Sequence, residues 1–170
     1  MANPTMKLIA SVTVGAGGAA SIDFTSIPAT YTDLVIKYSG RTNAGTTGND
    51  LLISLNGSTA NFTHRRLQGS GSGTPASYNG ATGNVAVDEG QTATGSTFSN
   101  IEIYIPNYAG STNKSISGDA VTENNGTEAY AFIGAVLWSQ TAAINRITLT
   151  PYSGSIVQFS TAYLYGISNS

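Results

Sequence analysis

Phe98-Ser99-Asn100-Ile101-Glu102-Ile103-Tyr104-Ile105-Pro106 carries Ile101, Ile103 and Ile105 on one side and Glu102 and Tyr104 on the other. A repeat of two puts each set on its own face of an extended strand, and β-branched isoleucines suit a pleated, half-buried surface. Pro106 stops the pairing, because proline has no N–H to give to a ladder. The stretch reads as a strand with one face in a core.

The same period runs outward in both directions. Lys7 to Val14 alternates Leu8, Ala10, Val12 and Val14 with polar neighbours and ends in the turn Gly15-Ala16-Gly17-Gly18. That glycine run leads into a strand and lacks the Lys-Ser/Thr of a phosphate loop. Ser21 to Phe24 turns Ile22 and Phe24 inward, and Asp33 to Arg41 alternates Leu34, Ile36 and Tyr38 with Val35, Lys37 and Ser39. Asp50 to Leu55 closes in Asn56-Gly57, a strong hairpin signal. Phe62 to Gln68 reads as a polar strand. Residues 69–97 read as a long Gly/Ser/Thr-rich loop with only Val85-Ala86-Val87 as a possible short strand. Loops of that length are usually functional, mobile or ordered by a partner. Downstream, Ser115 to Thr122, Glu128 to Ser139, Asn145 to Thr150 and Gln158 to Ile167 read as strands, with Glu128 to Ser139 as a central buried one.

About nine or ten strands with turn residues between them predict an all-β fold, a two-sheet antiparallel sandwich of jelly-roll-like type. The expectation is a single domain over residues 1–170, with residues 1–6 as an N-terminal arm. Ile22, Phe24, Leu34, Ile36, Leu52, Ile101, Ile103, Ile105, Val136, Trp138, Ile147 and Leu149 should lie in or beside its core.

Composition agrees. Only 9% of residues are charged, and the chain holds 20 Ser, 22 Thr, 14 Asn and 20 Gly, which disfavour helix interiors and favour strands, turns and loops. Absence of cysteine removes disulfides, thiol nucleophiles and iron–sulfur clusters. Seven basic residues against nine acidic ones give no general drive toward nucleic acid, and no apolar run is long enough for a membrane helix.

Chemistry is sparse. His64 is the only histidine, and no Gly-x-Ser-x-Gly elbow accompanies it, so a catalytic triad is disfavoured. Asp88-Glu89 and the pair Asp119 and Glu123 lack a calcium-loop pattern and read as solvated loop carboxylates. No catalytic residue, metal site or cofactor is expected. His64-Arg65-Arg66 concentrates charge in a charge-poor chain and reads either as a solvated strand face or as a contact patch for an acidic partner surface. Tyr31, Tyr78, Tyr108 and Tyr152 fall in turns or loops, where tyrosines serve recognition.

Three segments carry a family resemblance: Ile27-Pro28-Ala29-Thr30-Tyr31-Thr32-Asp33-Leu34-Val35-Ile36 with Ser39-Gly40-Arg41; Phe98 through Tyr108; and Leu164-Tyr165-Gly166-Ile167. They resemble virion proteins of tailed bacteriophages, especially those of aquatic and cyanobacterial phages, over about residues 8–167. The resemblance implies a jelly-roll-like sandwich, usually trimeric and without enzymatic activity, used as head decoration (cement) or in tail fibres. A short chain with about six residues before its first strand suits a cement protein on the outer surface of the particle. On that reading the partners are further copies of the chain and the major capsid protein, with no nucleic acid and no membrane. The shell contacts would be the arm Ala2, Asn3, Pro4, Thr5 and Met6 together with His64, Arg65 and Arg66. The alternative is a tail-fibre-associated module for a host-surface glycan or receptor, with Tyr78, Asn79, Tyr108 and Asn113 as contacts.

Overall fold

The computed structural model describes residues 5–168, so Ala2, Asn3 and Pro4 of the expected arm lie outside the described residues. The described chain forms twelve strands: β1 (Met6–Thr13), β2 (Ile22–Phe24), β3 (Asp33–Ser39), β4 (Gly48–Leu55), β5 (Phe62–Gly69), β6 (Ala76–Gly80), β7 (Asn84–Glu89), β8 (Asn100–Ile105), β9 (Lys114–Val121), β10 (Ala131–Trp138), β11 (Ile147–Pro151) and β12 (Thr161–Ile167). They make an eight-stranded sheet in the order β1-β12-β3-β8-β9-β10-β5-β6 and a four-stranded sheet in the order β2-β11-β4-β7. All ladders between these strands are antiparallel. The fold is the expected two-sheet sandwich. Only the β5–β6 hairpin and the β8–β9–β10 meander stay within one sheet; every other connection crosses between sheets.

The core lies between the sheets and follows from alternation. Ile101, Ile103 and Ile105 of β8 are fully buried, beside Leu34 and Ile36 of β3 and facing Ile22, Phe24, Ile147 and Leu149. Where β7 crosses β9 and β10, the sheets come closer than side chains allow. A Cβ on Gly118 would stand 1.9 Å from the Val85 carbonyl oxygen. Glycine there is a packing requirement.

Three expectations need correction. Leu52 is half-buried, and Leu51, Ile53 and Leu55 take the core positions instead. Leu51, Ile53 and Leu55 share one parity against Leu52 and Ser54 on the other, so alternation turns the apolar set inward; Asn49, on the same parity, bonds Ser153 O at 2.9 Å and Thr42 Oγ1 at 3.2 Å. β10 is central but buried on one face only: Phe132, Val136 and Trp138 point inward, and Ile133 outward at 68% exposure. Finally, residues 69–97 are not one long loop. β6 pairs with β5 from His64↔Gly80 to Gln68↔Ala76, and β7 pairs with β4, which raises the strand count to twelve. Backbone groups make these ladders, so small polar side chains did not prevent them.

Candidate functional site

Strand β5 takes the expected contact patch apart. Alternation sends His64 and Arg66 to the inner face and Arg65 to the outer one. His64 is 7% exposed, with ring Nδ1 3.0 Å from the Thr82 carbonyl oxygen. The Thr82 hydroxyl lies 3.3 Å from the same nitrogen, so residue 82 holds the ring through both groups. Arg66 Nη1 donates to Asp50 Oδ1 at 2.5 Å, and its guanidinium lies 4.7 Å from the centre of the Tyr78 ring. Arg65 alone faces outward, with Nη1 turned onto the His64 carbonyl at 2.9 Å. The three residues do not form one basic patch. Thr5 and Met6 of the expected arm are exposed, and Met6 opens β1, paired with Ile167.

The glycan candidates are scattered too. Tyr108 is fully buried, its hydroxyl donating to the Pro28 carbonyl, so it packs the core and is not available for contact. Tyr78 and Asn79 are neighbours in β6 and therefore face opposite sides of the sheet, Tyr78 beside Arg66 and Asn79 beside Arg65. Asn113 is exposed in the turn before β9.

The outer face of the eight-stranded sheet is the broadest regular surface. One row crosses all eight strands as Ser11, Tyr163, Lys37, Glu102, Asp119, Ile133, Leu67 and Ser77. Lys37 and Glu102 pair with each other. Toward β5 the row turns apolar. Leu67, Ile133 and Val121 are 54%, 68% and 45% exposed and surround a hollow of about 410 Å³ that Pro75 also lines. Arg65 and Asp119 flank this patch, and neither belongs to an ion pair among the described residues.

A second feature was missed in the sequence altogether. Asp88 and Glu89 are fully buried rather than solvated, because β7 is covered on both faces and alternation sends each carboxylate into protein. Asp88 accepts from Tyr38 Oη at 2.5 Å, Ser99 Oγ at 2.6 Å and Glu89 N at 2.8 Å. Burial still pushes its carboxyl up to about 6 against those bonds and the Arg41 charge. Burial likewise pushes Glu89 up to about 7, opposed by the Asn124 amide and Arg41. Arg41 itself donates to the carbonyls of Gln91, Ala93, Thr94 and Thr97 at 2.8–3.1 Å, tying the 91–97 loop around one guanidinium. The only hint in the sequence was an arginine directly after Ser39-Gly40. Among the described residues no group of three His, Asp or Glu side chains converges as a metal site.

Compared with known proteins, the chain matches no family model and no curated protein.

Proposed function

We propose that the protein is a structural component of a tailed-bacteriophage particle, a head decoration (cement) protein that binds the finished shell as a homotrimer and acts without catalysis. The observation that carries this reading is the outer face of the eight-stranded sheet. It presents Leu67, Val121 and Ile133 side by side, rimmed by small polar side chains and the unpaired charges of Arg65 and Asp119. An apolar centre with a polar rim is the anatomy of a protein-binding surface. The trimer and the placement on a head come from the resemblance of the Ile27–Arg41, Phe98–Tyr108 and Leu164–Ile167 segments to phage virion proteins.

The work of such a protein is thermodynamic. A ligand that binds only the assembled shell stabilises it by about 2.7 kcal/mol per site at a hundredfold excess over its dissociation constant. The test adds wild-type protein and an Ile133→Asp, Arg65→Glu double variant to heads lacking it, then measures occupancy and the temperature of genome release. Both sites are on the outer face, so the variant should keep its fold and lose occupancy. If wild-type protein neither binds heads nor raises the release temperature, the cement reading fails and a tail-fibre-associated role takes its place.

A further inference from the structure

A four-stranded sheet cannot cover an eight-stranded one, since each strand adds about 4.8 Å of width. On the β5–β6 side the inner face of the large sheet overhangs, and there its side chains turn from Phe62 to His64, Arg66 and Gln68. Two hollows open under this overhang. The larger, about 320 Å³, is lined by Asp50, Arg66, Gln68, Tyr130 and Tyr152; the smaller, about 170 Å³, by Gln68, Tyr78, Glu128 and Tyr130. They share Gln68 and Tyr130 and so adjoin, a cleft in two parts.

Three features of the cleft point to a ligand. First, two of its tyrosines are presented rather than packed away, Tyr152 at 73% and Tyr78 at 44% exposed, while Tyr130 is half-buried against the core beside Gly48, where a Cβ would stand 2.5 Å from its ring. Second, the polar groups beside them are held in place. Arg66 is clamped between Asp50 and the Tyr78 ring, and the Tyr130 hydroxyl donates to Glu128 Oε1 at 2.5 Å. Third, Arg66 Nε and Gln68 Oε1 lie beneath the hollows, shut from water and without a partner, so each gains a bond only if its side chain turns outward toward a ligand. Buried polar atoms are ordinarily bonded, and exceptions call for an explanation.

The chemistry selects the ligand class. Asp50 neutralises Arg66, and Glu128 adds a further negative charge, so a phosphate or carboxylate ligand is disfavoured. The lining mixes polar and aromatic groups and lacks the aliphatic floor a lipid chain needs. Flat ring faces next to fixed carboxylate, amide and guanidinium groups match a pyranose ring, which has an apolar C–H face and an edge of hydroxyls that donate and accept. At about 320 Å³ the larger hollow reaches the low end of small-ligand sites, with the second hollow beside it.

We propose that the cleft formed by Tyr78, Tyr130 and Tyr152 over Asp50, Arg66 and Gln68 is a binding site for a neutral oligosaccharide. This site is on the opposite side of the large sheet from the surface assigned to the shell, and it stands whether or not the cement reading does. A particle-bound protein would then keep its sugar site clear of the shell.

The test uses the full chain on an array of immobilised oligosaccharides spanning neutral hexose, amino-sugar, uronic and sialic residues. Tyr152→Ala, Tyr78→Ala and, as an outer-face control, Tyr163→Ala are run alongside, each checked by circular dichroism and melting temperature. The expected result is retention on neutral glycans, weakened at least tenfold by Tyr152→Ala and by Tyr78→Ala and unchanged by Tyr163→Ala. Tyr152 is mostly solvent-exposed, so its loss cannot be ascribed to unfolding. No retention on any neutral glycan, retention only on acidic ones, or binding indifferent to both cleft substitutions would overturn the proposal.

Discussion

The phenolic oxygen of Tyr38 donates a 2.5 Å hydrogen bond to Asp88, joining β3 of the large sheet to β7 of the small one across the core. Room for that ring depends on the residue two places on: a Cβ at Gly40 would fall 2.0 Å from the Tyr38 hydroxyl. Ser99 bonds the other Asp88 oxygen at 2.6 Å. Asp88, Glu89 and Arg41 thereby form a buried polar centre where the two sheets meet the 91–97 loop.

That centre gives stability a definite pH dependence. Burial holds Asp88 at about 6 and Glu89 at about 7 in the folded protein. In the unfolded chain both release their protons near pH 4, so between about pH 4 and 7 the folded state binds more protons. Their contribution is therefore fully present below about pH 4 and is lost as pH rises through about 6 to 7. Calorimetry should give a higher melting temperature at pH 5 than at pH 8, and Glu89→Gln should narrow the gap. A wild-type profile that is flat or rising over that range contradicts this assignment.

Arg41→Ala should cost about 2–4 kcal/mol, because it strips four loop carbonyls of their donor and leaves two buried carboxylates without a nearby cation. The damage should be local first. Limited proteolysis is expected to cut within residues 91–97 before the sandwich unfolds, whereas wild-type protein resists there.

Gly118→Ala forces a methyl group against the Val85 carbonyl oxygen at 1.9 Å, where backbone and not a movable side chain stands in the way. The sheets must part locally, and overpacking of this kind costs about 1–3 kcal/mol or more. Gly69→Ala, where nothing lies within 4 Å of the added atom, is the control and should shift urea midpoints little.

Ile103 and Leu52 separate the true core from the expected one. Ile103→Ala empties a fully buried site and should cost about 2–5 kcal/mol. Leu52→Ala removes a half-buried side chain and should cost well under half as much in the same urea titration. Equal losses would mean that β4 buries the other parity.

What the sequence determined was everything that rests on local alternation. Ile101-Glu102-Ile103-Tyr104-Ile105 announces its strand and its buried face without reference to any partner, as does Ile22-Asp23-Phe24, and enough such stretches without a helical period require a sandwich of sheets. Pairing was decided elsewhere. Whether Ala76–Gly80 becomes a strand depends on β5 offering its free edge, and whether Asp88 and Glu89 meet water depends on β4, the large sheet and residue 41 enclosing them. The cleft has the same origin: Tyr78, Tyr130 and Tyr152 are far apart in the chain and meet only because a narrow sheet leaves the edge of a wide one uncovered. Side-chain period is a property of a few consecutive residues; burial and convergence belong to contacts between distant ones, and those exist only once the sheets have assembled.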